Sequence, residues 1–316
     1  MTVNFNYLLQ KYLTNVFNEC ILVTQRTFDM LNLKQIDFYN LNGYLSIDNV
    51  YSDSQIKLLS DITNEFVEKS RLVTEENDMF SFESDHSANN PRLTRIKSPH
   101  KLHTIYEQTM RDEKMLDILE QLIGKNIRLQ GSKLNMKMPG GGRQVEWHTD
   151  WGHYPHTNDD LLAVGVPLDD STEENGCLMV IPGSHKWTAT NHHEDGFFVG
   201  AVDIDSFDIK KAAHVTSNVG GVSIHHVRTL HGSAPNMSDK PRRLLLLEFC
   251  AADAFPLKGL STSWDEWNKQ MVRGEPTIQP RLEKVPVFFP QPLRVEHGSI
   301  FGVQSNLKKS HFSKSK

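Results

Sequence analysis

Two residues with metal-binding side chains stand two positions apart in the segment V-E-W-H-T-D-W, residues 145–151. They are His148 and Asp150, and the surrounding pattern predicts a strand. Because residues i and i+2 of a strand point to the same face, the imidazole and the carboxylate should converge on one point. A third ligand is expected from His231, which follows an apolar, β-branched run at residues 221–224.

Two histidines and one carboxylate form the facial triad of non-heme Fe(II) oxygenases, which leaves coordination positions open on one side of the metal. Arg242 follows the third of these ligands further along the chain. Its planar guanidinium could grip the remote carboxylate of a chelating 2-oxo acid through two hydrogen bonds. The sequence therefore predicts a site that uses Fe(II), 2-oxoglutarate and O2.

Other residues compete for these roles. His193-Glu194-Asp195 is a second H-x-D sequence, but it lies in the polar stretch N-H-H-E-D-G, without the alternating apolar flanks of a strand. The first motif is therefore preferred. His225 and His226 lie in the strand region ahead of His231, and Arg243 stands beside Arg242. Strand alternation would send the two arginines to opposite faces, so only one of them can reach the cofactor.

Three ordered motifs give the chain a resemblance to the phytanoyl-CoA dioxygenase (PhyH) family of Fe(II)/2-oxoglutarate-dependent oxygenases. They are W-H-T-D (147–150), E-N-G-C-L-M-V-I-P-G-S-H-K (174–186) and H-G-S-A-P-N (231–236), the last followed by Arg242. Residues 34–52 also look like the way these proteins usually begin. The resemblance covers residues 35–255 and identifies a family rather than a substrate.

The resemblance implies which competitors to choose. The H-G-S sequence selects His231 as the third ligand, and the family spacing selects Arg242 over Arg243. Ser233 is then expected to join Arg242 in holding the distal carboxylate of 2-oxoglutarate. The resemblance also implies an oxidoreductase that hydroxylates an unactivated C–H bond of a small organic substrate and releases succinate and CO2.

A polar strand is predicted from Ile127 onward, and it offers further cofactor contacts. A polar face inside a barrel would suit a polar cofactor, so Gln130, Ser132 and Lys133 are candidates to contact 2-oxoglutarate or substrate. The alternative, a strand side that faces solvent, is equally compatible with the pattern.

Several short strands with Gly, Asn and Pro turns, preceded by helices, predict a mainly β fold, a jelly roll of two packed antiparallel sheets. The double-stranded β-helix, or cupin-like barrel, of the resembled family agrees, with helices packed on it. One hairpin is expected where Asn175-Gly176 joins strands at 161–168 and 177–181.

Three regions are expected along the chain. Residues 1–34 form an N-terminal extension with a docked amphipathic helix, and residues 35–255 form the jelly-roll domain. Residues 256–316 form a C-terminal extension that ends in a basic, solvated tail. Residues 74–91, rich in polar side chains, are expected as a loop near the mouth of the site.

Composition excludes several function classes. The net charge of −5 argues against a general nucleic-acid binder. Three cysteines without a C-x-x-C pair favour neither a disulfide framework nor a zinc site. Without an apolar run of about eighteen residues or a signal peptide, we expect a soluble, cytoplasmic enzyme without stable membrane association. Its partner should be a small-molecule substrate, and its oligomeric state is left open.

Two other functions remain possible from the residues alone. One is a cupin-like metalloenzyme that uses no 2-oxo acid, and the other is a metal-binding module without turnover. Substrate identity is equally open. An acyl-CoA substrate would require a basic patch for its phosphates. Arg92, Arg95, Lys97, Lys101 and Arg143 could contribute to one, or they could be scattered surface charges. A small polar substrate or a natural product is slightly preferred.

Overall fold

The computed structural model describes residues 31–288, 300–304 and 307–312. The expected N-terminal helix lies outside this part of the chain. The helices that precede the long strands are α1 (Leu33–Asn42), α2 (Asp53–Ser70), α3 (Thr104–Met110) and α4 (Glu113–Ile123). Ser52 and Gln55 form a capping box at the start of α2, each side chain bonding the other's backbone N–H. No helix among the described residues is long and apolar enough to cross a membrane.

The larger sheet is antiparallel throughout. Its strands are β1 (Tyr44–Ile47), β2 (Phe80–Phe82), β3 (Leu93–Lys97), β4 (Ile127–Lys137), β6 (Leu161–Pro167), β11 (Val222–His226), β13 (Arg242–Ala251) and β14 (Met271–Arg273). Their order is β1-β11-β6-β13-β4-β3-β2, and β14 pairs with the start of β4. The segment expected as a polar loop, 74–91, contains β2 and so joins this sheet.

A smaller antiparallel sheet packs opposite. Its strands are β5 (Val145–His148), β7 (Leu178–Val180), β10 (Ala213–Val215) and β12 (His231–Ser233), in the order β10-β7-β12-β5. A short hairpin, β8 (His193–Glu194) with β9 (Phe197–Phe198), lies between β7 and β10 in the chain. Two short helices lie in the C-terminal part of the chain, α5 (Trp264–Lys269) before β14 and α6 (Ile300–Gln304) after it. The predicted jelly roll with helices packed on it is confirmed.

The apolar run of β13 explains how the layers pack. Leu245, Leu247 and Phe249 are fully buried in the main core beneath the helices. Leu244 and Leu246 alternate with them and line the cavity between the two sheets. A continuous apolar run is what a strand covered on both faces requires. Arg242 and Arg243 accordingly point to opposite faces.

The prediction that Asn175-Gly176 joins two paired strands in a hairpin is wrong. Gly176 does adopt the left-handed conformation, with φ at 76°. However, β6 already pairs with β11 on one edge and β13 on the other, so neither edge can accept β7. The chain therefore crosses to the smaller sheet, where β7 pairs with β10 and β12. A turn signal is local and cannot report that both edges of the preceding strand are occupied.

The C-terminal segment contacts the strand that carries the H-x-D motif. The side chain of Gln304 accepts a hydrogen bond from Glu146 N at 3.0 Å and donates to Glu146 O at 3.3 Å. Further on, His311 N donates to the Glu146 carboxylate at 3.1 Å. Lys308 and Lys309 are exposed and pair with Asp195 and Asp205, respectively. The segment thus supports β5 from its edge.

Replacing Leu247 with alanine should lower the free energy of unfolding by about 2–5 kcal/mol, because it leaves a cavity in a fully buried core. The neighbouring Leu246→Ala is the matched control, since its side chain is only partly buried and borders the space between the sheets. Urea denaturation measures both. Equal losses for the two variants would contradict the division of faces described above.

Candidate metal centre and its cavity

Three metal-binding side chains meet where β5 pairs with β12. His148 and His231 lie directly opposite each other in the register. Asp150 begins a short helical turn just after β5, and Thr149 between them keeps an extended backbone (φ −114°, ψ 142°). Strand alternation therefore continues for one residue beyond the pairing. The ligand atoms of the three side chains lie within 4.8 Å of one another, which is the convergence that the sequence predicted.

The hydrogen bonds of the two imidazoles suit metal binding. His148 Nδ1 lies 2.8 Å from Glu146 O, and His231 Nδ1 lies 2.9 Å from Thr229 O. Because a carbonyl only accepts, each Nδ1 carries the proton and each Nε2 keeps its lone pair for a metal. Two imidazole nitrogens and one carboxylate oxygen are the donor set that suits Fe(II), so the residues fit this ion.

The protonation states also favour a metal. Burial and the charge of His231 hold the pKa of His148 well below its usual value. Burial and the charge of His225 lower the pKa of His231 to about 4. Burial alone would raise the pKa of Asp150, but a hydrogen bond from His225 and the charges of His231 and Lys133 hold it well below its usual value. Near neutral pH the site therefore presents two neutral nitrogens and one carboxylate.

His225, which the sequence argument set aside, touches Asp150 rather than joining the triad. Its Nε2 donates to Asp150 Oδ2 at 3.3 Å, and its ring centroid lies 4.3 Å from that of His231. Asp150 Oδ1 lies on the other side, 3.9 Å from His148 Nε2. One oxygen of the carboxylate is thus held by the protein while the other faces the triad. His226 points away from the triad, towards the ring of Tyr39 in α1.

A cradle of buried cations forms part of the same cavity. Arg242 Nη2 donates to Gly176 O at 2.7 Å, and its buried Nε has no hydrogen-bond partner among the described residues. Lys137 Nζ donates to Ser233 Oγ at 2.8 Å and also to Ala234 O. A buried guanidinium with an unfilled donor is a place where a carboxylate would complete the hydrogen bonds.

The cradle is electrostatically incomplete without an anion. Burial and the charge of Arg242 hold the pKa of Lys137 well below its usual value. Burial also lowers the pKa of Arg242 to about 10. A carboxylate would offset both effects. Lys137 was not among the residues predicted to contact the cofactor, although strand alternation places it on the same face of β4 as Lys133.

The three polar candidates of β4 separate in the structure. Lys133 lines the cavity, and its Nζ bonds Glu248 Oε1 at 2.6 Å. Gln130 is not among the residues that line the cavity, and its Oε1 lies 3.3 Å from a nitrogen of His156. It is the extra residue of a β-bulge opposite Glu248 and Phe249, so alternation does not run through it. Ser132 faces the helices, where it bonds His100 at 2.6 Å.

The remaining competitors lie away from the triad. His193 bonds Asn191 beside the short β8 strand. Arg243 reaches both carboxylate oxygens of Asp169, at 2.7 and 2.9 Å. Within residues 31–288 and the two short C-terminal stretches, the triad is the one group of three or more His, Cys, Asp or Glu side chains arranged to hold an ion.

The cavity as a whole carries excess positive charge. It has a volume of about 710 Å³, including the open space at its mouth. Its charged lining residues are the cations Arg95, Lys133, Lys137 and Arg242 and the acids Asp150 and Glu248. Apolar side chains, among them Leu178, Leu244 and Leu246, complete the walls. Such a cavity favours small anionic ligands beside the metal.

Comparisons with known proteins agree with this chemistry. Residues 39–244 match the sequence model of the family described as phytanoyl-CoA dioxygenase (PhyH). A protein of Stutzerimonas stutzeri, named as a probable alpha-ketoglutarate-dependent hypophosphite dioxygenase, is 37% identical over 85% of this chain and 96% of its own. An ectoine dioxygenase of Bordetella bronchiseptica is 25% identical over 68% and 73%. The crystal structure of EctD from S. alaskensis with bound Fe superimposes with a TM-score of 0.63 at 23% identity, covering 81% of this chain and 88% of that one.

Replacing His148 with alanine should weaken Fe(II) binding about a hundredfold or more, because losing a ligand costs more than the roughly 10- to 100-fold cost of losing a supporting partner. His193→Ala, which alters the second H-x-D sequence, is the matched control and should bind Fe(II) like the native protein. Anaerobic calorimetric titration of the apoprotein measures both affinities. Equal weakening in the two variants would argue against the triad as the site.

Proposed function

The chain belongs to the phytanoyl-CoA dioxygenase family and is an Fe(II)- and 2-oxoglutarate-dependent dioxygenase, and we propose that His148, Asp150 and His231 hold its iron while Arg242 and Ser233 hold 2-oxoglutarate. The observation that carries this assignment is the cavity itself. Two neutral imidazoles, one carboxylate and an unfilled guanidinium donor all line one cavity. A chelating 2-oxo acid with a distal carboxylate needs both the metal ligands and the guanidinium.

The bound iron and 2-oxoglutarate supply the activation of O2, with loss of CO2 and formation of succinate. The residues of this chain supply position and environment. Arg242 and Lys137 orient the distal carboxylate, and Ser233 adds a hydroxyl that already bonds the lysine. His225 restrains the second oxygen of Asp150, which leaves one oxygen for the metal. Apolar cavity walls limit the water that could compete with substrate.

For the substrate we propose a small anion of the hypophosphite class, an oxyanion that carries hydrogen on its central atom. The relative from S. stutzeri, 37% identical, is named for hypophosphite. The cavity supports an anion independently. The charges of Fe(II) and of the 2-oxoglutarate dianion cancel, so four basic side chains against two acids leave a positive surplus that no cofactor neutralises.

The proposed reaction is balanced by the dioxygenase chemistry. One P–H bond of hypophosphite becomes P–OH, with one oxygen atom from O2. The other oxygen atom enters succinate as 2-oxoglutarate loses CO2. In this proposal the P–H bond takes the place of the C–H bond that the family resemblance led us to expect.

Replacing Arg242 with lysine should raise the Kd for 2-oxoglutarate by about ten- to a hundredfold, because a point charge cannot replace a two-pronged hydrogen bond. Arg243→Lys is the matched control, since this neighbouring guanidinium faces Asp169 outside the cavity. The visible charge-transfer band of the Fe(II)–2-oxoglutarate chelate, titrated anaerobically, measures the affinity. No band in native protein that has bound iron would overturn the 2-oxoglutarate assignment.

Hypophosphite should stimulate succinate release by the Fe(II)-loaded protein in air, with one phosphite formed per succinate. Phosphorus NMR and succinate quantification measure the ratio, and acetate, an anion without a P–H bond, is the control that should release no stoichiometric product. Succinate release that responds to a coenzyme A thioester and not to hypophosphite would reject the proposed substrate class while leaving the enzyme class intact.

A further inference from the structure

Lys133 and Glu248 form an ion pair inside the cavity that the cofactor does not require. We propose, on the basis of the function proposed above, that Lys133 binds the anionic substrate. In the absence of substrate, Glu248 forms an ion pair with the Lys133 ammonium group. Glu248 is then an internal stand-in for the substrate anion. The pair joins β4 to β13 at 2.6 Å, and both side chains are only partly exposed, 25% and 12%.

The position of Lys133 along β4 separates it from the 2-oxoglutarate cradle. Lys133 and Lys137 share a strand face, and four residues of strand span roughly 13 Å. Lys137 lies in the cradle against Ser233. Lys133 instead lines the cavity together with His148, Asp150 and His231. A molecule that enters this cavity to react at the metal can therefore meet the Lys133 ammonium group.

The strand pairing explains how Glu248 reaches this lysine. Glu248 pairs with Gly131, and a Cβ atom at that glycine would lie only 3.0 Å from Glu248 Oε2. The missing side chain gives the carboxylate room to lie across β4.

This arrangement makes exchange of the carboxylate for a substrate anion inexpensive. An incoming oxyanion keeps the Lys133 ammonium paired. Both side chains line the cavity, so water there can solvate the Glu248 carboxylate once it is released. Arg95 adds a second positive charge to the same wall, since it lines the cavity and donates to Asn135 Oδ1 at 3.0 Å.

The test compares two variants whose effects should have opposite signs. Lys133→Met should raise the Kd for hypophosphite about ten- to a hundredfold, because the charge-assisted hydrogen bond is lost. Glu248→Gln should lower that Kd about two- to fivefold, because the competing carboxylate is gone. Both should leave the Kd for 2-oxoglutarate unchanged. Lys97→Met is the matched control, since Lys97 pairs with Lys133 across the strands but donates to Asn77 O outside the cavity lining.

The measurement is the shift of the Fe(II)–2-oxoglutarate charge-transfer band on anaerobic addition of hypophosphite to each holoenzyme. A structural ion pair without a ligand role would weaken hypophosphite binding in both variants and lower both melting temperatures, which would overturn the proposal. Weaker 2-oxoglutarate binding by Lys133→Met would also overturn it, because the lysine would then serve the cofactor.

An incorrect cofactor or substrate assignment would give a different result from an incorrect role of Lys133. No charge-transfer band in the native protein would reject the cofactor assignment before any variant is compared. A band that hypophosphite leaves unchanged in the native protein would reject the substrate class and the role of Lys133 together. A native response that neither variant alters would reject only the role of Lys133.

Discussion

The antiparallel pairing of β5 with β12 is the contact on which the site depends. It sets His148 directly opposite His231, and Asp150 follows within one extended residue. A slip of one residue would turn each histidine to the other face of its strand. Several contacts oppose such a slip. β7 pairs with the other edge of β12, and Gln304 bonds both backbone groups of Glu146. Gly232 of β12 also packs closely on β5, since a Cβ atom at this position would lie only 3.2 Å from the buried Trp147 ring.

The second constraint is the burial of positive charge. Arg242 and Lys137 are almost completely buried, and the charge of Arg242 disfavours the charged state of Lys137. Proteins seldom retain unpaired buried charges unless a ligand supplies the missing partner. Here the fold tolerates them because β13 and β4 are held along most of their length by an apolar core on the opposite face, where Leu245, Leu134 and Phe249 are fully buried. Stability on one side of the sheet permits function on the other.

The same two strands also separate two kinds of anion chemistry. Lys137 and Arg242 pair with each other at one end, and Lys133 and Glu248 lie further along the same faces. Strand geometry thus separates the Arg242–Lys137 pair of cations, for which we propose the dicarboxylate cofactor, from the Lys133–Glu248 pair, where we propose that the substrate anion binds. His225 completes the second end by donating a hydrogen bond to Asp150.

Much of this could be predicted from the sequence, because the relevant signals are local. The H-x-D spacing depends on neighbouring residues, and so does the placing of Arg242 and Arg243 on opposite faces of β13, whereas the choice of Arg242 between the two came from the family resemblance. The tertiary structure decided what depends on residues far apart in the chain. β7 crosses to the other sheet because both edges of β6 are already occupied. Gln130 leaves the cavity because of a bulge that only the pairing with β13 reveals. The contacts of His225 with Asp150 and of Lys133 with Glu248 join positions 75 and 115 residues apart, and strand register, rather than residue type, brings such positions together.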